Sequence, residues 1–200
     1  MLKLAGELIE GQLADHIASL DAHTRDIFEL IRTGTYALSP LQATYRGVSE
    51  LTLVADKLYA FAYPVIRPRT PDKLVFGVYI AAAGKKIRIG VYADNGNCYP
   101  GARISNGAEV DVGTTGLKTL DYTTQLAKGI YWIAIISDGT PKIYATRDHL
   151  GISGDTANAY EAIATWTKAD TYGDLPDPFP SGGALETRLA CVGFRLVSND

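Results

Sequence analysis

Hydrophobic residues in the first part of the chain recur with the spacing of a coiled-coil helix. The segment from Glu7 to Arg32 contains no proline, and its seam positions alternate between intervals of four and three residues. The apolar positions of this seam are Leu13, Ile17, Leu20, Ile27 and Ile31, and Thr24 fills the missing position. Such spacing is typical of a coiled coil, and Arg32 followed by Gly34 suits the end of a helix. The segment is either an amphipathic helix packed on its own domain or a short parallel bundle of several chains. The narrow seam favours the bundle.

From Gly47 onward the hydrophobic pattern changes to a period of two, which predicts β-strands. The predicted strands are Leu51–Ala55, Lys57–Tyr63, Leu74–Ala81, Lys86–Tyr92, Leu117–Thr123, Ile130–Ile136, Lys142–Ala145 and Leu189–Val197. About eight short strands separated by turn signals predict an antiparallel β-sandwich or jelly-roll-like domain. We therefore divide the chain into an N-terminal helical segment for oligomerisation or attachment, residues 1–34, and a β-sandwich domain, residues 35–200. The fold class is mainly β with an N-terminal helix.

Two segments of the β region need a special explanation. The strand Ile130–Ile136 carries apolar or aromatic residues on both faces, so both faces should be covered, either by residues 146–188 or by a neighbouring protomer. Within 146–188, the composition of Ala157–Trp166 predicts a short helix. Alternate prolines between Leu175 and Gly183 require an extended or turning backbone without ladder pairing.

Two turns interrupt the sequence RIGVYADNGNCYPGARI, from Arg88 to Ile104. Counted from Asp94 as an EF-hand loop, the third, fifth and sixth positions hold glycine, cysteine and tyrosine. That order lacks the ligands and the glycine of such a loop, although a looser calcium site on Asp94 and Asn95 stays open. The better interpretation is two successive turns that join sandwich strands.

Aromatic and amide side chains near this loop form a candidate sugar-contacting set. Its members are Asn95, Asn97, Tyr99, Trp166 and Tyr172. Aromatic rings can stack against sugars, but large aromatics also commonly pack under loops as part of the fold. Both interpretations stay open for each of these residues.

Composition and charge narrow the classes of function. The formal net charge is −3, which offers no basic surface for nucleic acid or for an anionic membrane. No run approaches the roughly 18 apolar residues that span a bilayer, and the first residues lack the apolar core of a signal peptide. We therefore expect neither nucleic-acid binding nor membrane insertion. Two cysteines, Cys98 and Cys191, are too few for a disulfide scaffold, and the sequence does not decide whether they pair.

The sequence contains no recognised reaction centre. It has no G-x-S-x-G, no zinc-ligand spacing, and no glycine pattern for phosphate or dinucleotide binding. His16 and His23 lie in the predicted helix, and His149 is best explained as a solvated loop residue. We therefore predict that the chain is not an enzyme and has no catalytic residues, metal or cofactor.

Three segments together resemble a known class of protein. The turn sequence Arg88–Ile104, the strand Gly129–Ala134 and the closing LPDPFPSGGALETRLACVGFRLV resemble a recurrent β-sandwich of bacteriophage virion proteins. The N-terminal segment looks like the helical lead-in of phage tail or fibre proteins. The resemblance covers most of the chain, but its motifs are structural and transfer no catalytic residue. A similar pattern also occurs in accessory domains of secreted bacterial proteins.

The resemblance implies a homo-oligomeric, trimeric virion component: a tail fibre, head fibre or capsid-decoration protein that presents β-sandwich knobs. Its expected partners are copies of itself, other virion proteins and a host surface glycan, and its expected place is the virion after synthesis in the host cytoplasm. The alternative is a carbohydrate-binding module of a secreted or virion-associated glycan-active protein. A glycan-degrading enzyme is a third and weaker hypothesis, since it needs paired acids in a cleft.

Overall fold

The computed structural model describes the backbone of residues 36–38, 49–146, 153–154 and 162–198, with side chains for residues 49–146 and 164–197. All of them belong to the unit Thr33–Asp200. The predicted helix with its seam and the loop residue His149 lie outside the described residues. The helix and its role in oligomerisation therefore stay predictions.

Strands make up all the regular secondary structure of the described residues. In chain order they are β1 Tyr36–Leu38, β2 Ser49–Thr52, β3 Lys57–Val65, β4 Thr70–Ile80, β5 Lys86–Asp94, β6 Pro100–Asp111, β7 Gly116–Asp121, β8 Gly129–Ser137, β9 Lys142–Thr146, β10 Ser153–Gly154, β11 Ala162–Ile163, β12 Thr165–Ala169, β13 Ala184–Leu185, β14 Leu189–Ala190 and β15 Val192–Ser198.

These strands form two large antiparallel sheets and a small sheet of β10 and β11. Sheet A has the order β1-β15-β4-β9-β14, with β2 paired to β9 and β7 paired to β4. Sheet B has the order β13-β12-β3-β8-β5-β6. The prediction of a mainly antiparallel β domain is confirmed.

Large side chains from the facing surfaces of the two sheets form the core. Tyr63 of β3 meets Phe194 of β15 edge-on, with ring centroids 4.9 Å apart, and so joins sheet B to sheet A. Tyr122, just after β7, packs on the same phenylalanine at 5.2 Å. Each large apolar side chain buried in this way stabilises the fold by roughly 1.5–3 kcal/mol. Among the described residues, the largest fully buried side chains are Trp132, Tyr59, Tyr92, Phe61, Phe76 and Phe194, of which Trp132 and Tyr92 lie on the opposite face of sheet B.

The middle of sheet B is buried on both faces. Every position of β8 from Trp132 to Ser137 is buried. On the face directed away from sheet A, Tyr92 and Gly90 of β5 lie opposite Trp132 and Ala134 of β8, and residues 174–183 of the same chain lie over this part of β5. The prediction that both faces of the strand are covered is confirmed from Trp132 to Ile136, and part of the cover comes from the long segment of the chain itself.

Three strands of sheet B, β6, β12 and β13, are missing from the sequence prediction. The predicted helix Ala157–Trp166 is wrong for residues 162–166, where the backbone is extended in β11 and β12. Residues Thr165–Ala169 pair with Lys57–Phe61 of β3, more than a hundred positions earlier in the chain. This pairing supplies the ladder hydrogen bonds, and the alternation of Thr165, Trp166 and Thr167 suits a strand better than a helix. Local composition alone does not reveal such a distant partner.

Candidate functional site

The hairpin loop that joins β5 to β6, residues 95–99, is closed by hydrogen bonds within itself. The backbone N–H of Asn95 donates to the carbonyl oxygen of Tyr99 at 2.9 Å. The N–H of Asn97 donates to Asn95 Oδ1 at 2.8 Å, and the N–H of Gly96 donates to Asp94 Oδ2 at 2.7 Å. Gly96 at φ 90° and Cys98 at φ 54° supply the left-handed positions that this tight loop requires. The first predicted turn, at Asp94–Asn97, is thus present, whereas the second, at Pro100 and Gly101, is wrong because both residues are extended at the start of β6.

Asp94 also ties the loop to the core of sheet B. Its second oxygen, Oδ1, accepts a hydrogen bond from the indole Nε1 of Trp132 at 2.8 Å, and the Trp132 side chain is fully buried. Both carboxylate oxygens of Asp94 therefore have partners within the fold. A buried indole N–H needs such an acceptor, because leaving it unsatisfied costs about 1–3 kcal/mol.

Residues 174–183, which we call the strap, cross the outer face of the β5–β6 hairpin. Side chains of the hairpin bind successive backbone carbonyls of the strap: Arg103 binds that of Leu175, Tyr92 that of Pro176 at 2.6 Å, and Tyr99 that of Pro180 at 2.6 Å. In the reverse direction, strap N–H groups donate to the hairpin, from Leu175 to Asn106 Oδ1 at 2.8 Å and from Phe179 to the Gly101 carbonyl at 3.0 Å. The proline-rich strap, which cannot join a ladder, thus satisfies much of its backbone through hairpin side chains, together with the Gly101 carbonyl.

Two apolar side chains anchor the strap. Leu175, 1% exposed, lies directly over Gly90, where an added Cβ would come within 2.5 Å of Leu175 Cδ1. Phe179, 4% exposed, lies between Tyr92 and Tyr99, with ring centroids 5.5 and 5.6 Å away. The absence of a side chain at Gly90 therefore leaves room for Leu175. The strap is thus part of the packed domain.

The structure brings four of the five candidate sugar-contacting residues together at this end of the hairpin. The rings of Tyr99 and Trp166 lie 4.9 Å apart, beside the loop that carries Asn95 and Asn97. The polar groups of both aromatics are used within the chain: Trp166 Nε1 donates to the Cys98 carbonyl at 2.8 Å, and the Tyr99 hydroxyl donates to Pro180 and accepts from the Gly183 N–H at 3.0 Å. Asn95 and Asn97 are exposed. Of these four, the two asparagines present the exposed side chains.

Tyr172, the fifth candidate, lies elsewhere along the hairpin. Its hydroxyl donates to Glu109 Oε1 at 3.0 Å, and its N–H donates to Asp56 Oδ1 at 2.8 Å. Glu109 lies opposite Arg88, six positions before Asp94 along β5, or roughly 20 Å at the rise of a strand. Tyr172 therefore does not share a surface with the loop asparagines.

A charged network surrounds Tyr172. Lys86 Nζ lies 2.7 Å from Glu109 Oε2, and Arg88 Nη2 lies 3.4 Å from Asp174 Oδ1. The hydrogen bond from Lys86, followed by that from Tyr172, holds the pKa of Glu109 below its usual range. Burial, reinforced by the neighbouring Glu109, raises the pKa of Tyr172. At neutral pH the tyrosine is therefore a neutral donor to a charged carboxylate, which suits a structural contact at the start of the strap.

Neither the cysteines nor the acidic residues form a reactive centre in the part of the chain that the structure describes. No disulfide joins Cys98 to Cys191. Burial, with a smaller effect of Asp94, raises the pKa of the Cys98 thiol, which keeps it protonated at neutral pH. Among the described residues, no group of three or more His, Cys, Asp and Glu side chains could hold a metal ion. Within the same ranges, no helix has the length and hydropathy to cross a membrane.

Comparisons with known proteins give little further information. No protein-family model matches the chain, and no curated protein matches it. A solved structure of the clostridial cysteine protease Cwp84 after propeptide cleavage is similar over 70% of this chain and 35% of that one, with 16% identity and a TM-score of 0.45. A structure of the cysteine protease and lectin-like domains of Cwp84, a surface layer associated protein of Clostridium difficile, is similar over 65% and 31%, with 14% identity and a TM-score of 0.39. The chain thus spans about a third of these solved chains, and at these scores neither likeness informs its function.

Proposed function

We propose that this chain is a non-enzymatic structural protein of a bacteriophage virion. It self-associates, as a trimer, through the seam in residues 1–34, and it serves as a fibre, tail or capsid-decoration component. The single observation that carries the proposal is the unbroken alternation of four- and three-residue intervals from Leu13 to Ile31. The resemblance of the hairpin, the β8 segment and the strap to virion sandwiches supplies the virion context.

The organisation of the sandwich supports a display role. The strap packs on the outer face of the hairpin. Tyr92, Asp94 and Trp132, which belong to the segments that resemble virion proteins, make hydrogen bonds within the fold. The hairpin loop remains exposed at Asn95 and Asn97. In a trimer, three such loops act together, so weak contacts to a host surface gain avidity from multivalency.

Light scattering of the full chain at micromolar concentration tests the proposal. We expect a mass of three chains for the wild type and of one chain for the double variant Ile17→Asp and Leu20→Asp, because charges in the seam cannot be buried. The matched control is Ala18→Asp combined with Ala22→Asp, which places the same two charges on the same segment outside the seam and should leave the trimer intact. A monomeric wild type would overturn the proposal, as would equal behaviour of the seam variant and the control. A cooperative unfolding transition, monitored by tryptophan fluorescence, confirms that the sandwich of the seam variant is folded.

A second candidate function, carbohydrate binding, rests on a separate observation. Two exposed amides, Asn95 and Asn97, stand beside the Tyr99–Trp166 ring pair, and amides next to a ring are suited to sugar hydroxyls and sugar faces. Substitution of Tyr99 or Trp166 would confuse the test, because their polar groups also hold the hairpin and the strap.

A glycan array with matched variants separates binding from folding. If the loop binds sugars, Asn95→Ala combined with Asn97→Ala should abolish the signal, whereas Gln125→Ala, an exposed amide after β7, should retain it. No signal from the wild type, or a signal that survives the double substitution, would refute carbohydrate binding by this loop.

A further inference from the structure

We infer that Asn95–Gly96 is a site of spontaneous deamidation, whereas Asn106–Gly107, the other Asn-Gly pair of the sequence, is protected by the fold. In this reaction the backbone nitrogen of the glycine attacks Cγ of the asparagine. The new N–Cγ bond replaces the Cγ–Nδ2 bond, and ammonia leaves with the proton of the glycine nitrogen. Water then opens the cyclic imide at either carbonyl, which gives aspartate or isoaspartate. This inference is independent of the proposed function.

The hairpin loop places a proton acceptor and an oxyanion donor around the reacting groups. Asp94 Oδ2 lies 2.7 Å from the nitrogen of Gly96, the nucleophile that must lose its proton. The N–H of Asn97 lies 2.8 Å from Asn95 Oδ1, the oxygen on which negative charge develops during the attack. The hydrogen bond from Trp132 to the other oxygen of Asp94 fixes the carboxylate in position.

Space around Asn95–Gly96 permits the rearrangement. Asn95 is exposed, and an added Cβ at Gly96 would meet nothing within 4 Å. The cyclic imide can therefore form in the folded protein without displacing a side chain from another part of the chain.

The pair Asn106–Gly107 has the same sequence and a different environment. Asn106 Oδ1 accepts hydrogen bonds from the N–H of Leu175 at 2.8 Å and from Arg103 Nη1 at 3.3 Å, so the amide is held against the strap. The nitrogen of Gly107 donates to Ser105 Oγ at 3.2 Å rather than to a carboxylate. A Cβ at Gly107 would lie 1.4 Å from the carbonyl oxygen of Ile89, which shows how closely β5 confines this peptide. Formation of the imide here requires the strap and the β5–β6 pairing to open.

Deamidation of Asn95 changes an exposed part of the hairpin. It places a second carboxylate next to Asp94 and removes an amide from the loop, and the isoaspartate product adds a methylene to the backbone. The loop therefore exists in chemically distinct forms whose proportion depends on the age of the protein.

Trypsin separates the two pairs, which permits a direct test on the full chain. Cleavage after Arg88, Arg103 and Lys118 yields one peptide with Asn95, residues 89–103, and another with Asn106, residues 104–118. The folded protein is incubated in warm, mildly alkaline buffer, digested briefly and measured by mass spectrometry, with fragmentation to distinguish Asn95 from Asn97. In the folded protein we expect Asn95 to convert several-fold faster than Asn106. In concentrated urea we expect the two asparagines to convert at similar rates.

Two variants make the result specific. Asp94→Asn should slow the conversion of Asn95 in the folded protein while leaving its rate in urea nearly unchanged, and tryptophan fluorescence establishes that this variant folds. Gly96→Ala should suppress conversion in both conditions, because its methyl group hinders the nitrogen. Equal rates at the two pairs in the folded wild type, or a faster reaction at Asn106, would overturn the inference. An unchanged folded rate in Asp94→Asn would contradict the role of the carboxylate.

Discussion

Replacement of Phe179 by alanine tests whether the strap belongs to the stable core of the domain. The phenylalanine is 4% exposed and its ring packs against Tyr92 and Tyr99. Removing a buried phenylalanine side chain typically costs about 3–5 kcal/mol, because apolar contact is lost and a cavity remains. For a chain of this size, each kcal/mol lowers the melting temperature by about 2–4 °C. We therefore expect Phe179→Ala to lower the melting temperature by roughly 6–20 °C.

Tryptophan fluorescence is the appropriate signal for this experiment. The chain has two tryptophans, and both Trp132 and Trp166 lie in sheet B, so unfolding in heat or urea reports on the sandwich. The matched control is Ser181→Ala, an exposed position of the same strap, which should change the free energy of unfolding by less than about 0.5 kcal/mol.

Two outcomes would refute this account of the strap. One is a loss of stability in Phe179→Ala that lies within about 1 kcal/mol of the Ser181→Ala control, below the range expected for a buried phenylalanine. The other is rapid proteolysis within residues 174–183 of the wild type under conditions where the tryptophan signal stays native. The strap would then open independently of the sandwich.

Two further predictions concern the backbone and the charges of the sheets. Gly107→Ala should destabilise the domain far more than Gly116→Ala. Both glycines have positive φ, which costs alanine about 1–2 kcal/mol. Only at Gly107 would the added methyl group collide with the Ile89 carbonyl. Urea unfolding of both variants measures the difference, and equal losses would contradict the collision. Hydrogen bonds from Arg195 hold the pKa of Asp72 below its ordinary value of 3.8. The pair therefore stabilises the fold above about pH 4, and this contribution is lost as the pH falls through the lowered pKa. The melting temperature of Asp72→Asn should therefore lie below that of the wild type at neutral pH and converge with it in acid, and parallel curves down to low pH would disprove the linkage.

Local pattern predicts most of the strands but few of the contacts between distant segments. A period of two identifies strands such as Lys57–Tyr63, because alternation is imposed by the pleat itself. The uninterrupted apolar run of β8 correctly predicts a strand covered on both faces. The contact that provides part of this cover joins Tyr92 to Pro176, 84 positions apart, and no local pattern identifies the partner.

The candidate sugar-contacting set shows the same division. Asn95, Asn97 and Tyr99 are neighbours in the sequence, so their proximity needs no tertiary information. Trp166 joins them because β12 pairs with β3, and the sequence of residues 157–166 does not predict that pairing. Tyr172 is held away from the loop by Glu109 and Asp56, two partners from other strands and turns. The sequence shows which residues are aromatic, but it does not distinguish rings exposed to a ligand from rings that pack within the fold.

The residues that make the hairpin recognisable in sequence are those that the structure uses internally. Tyr92 holds a carbonyl of the strap, Asp94 holds the indole of Trp132, and Phe179 fills the space between the hairpin tyrosines. A chain can therefore retain this pattern because the sandwich requires it, whatever the sandwich binds. The exposed side chains of the loop are the ones free to change with function. Substitutions meant to locate function should consequently be made at Asn95, Asn97 and the seam, since a loss of activity after substitution of Tyr92 or Asp94 would report on folding.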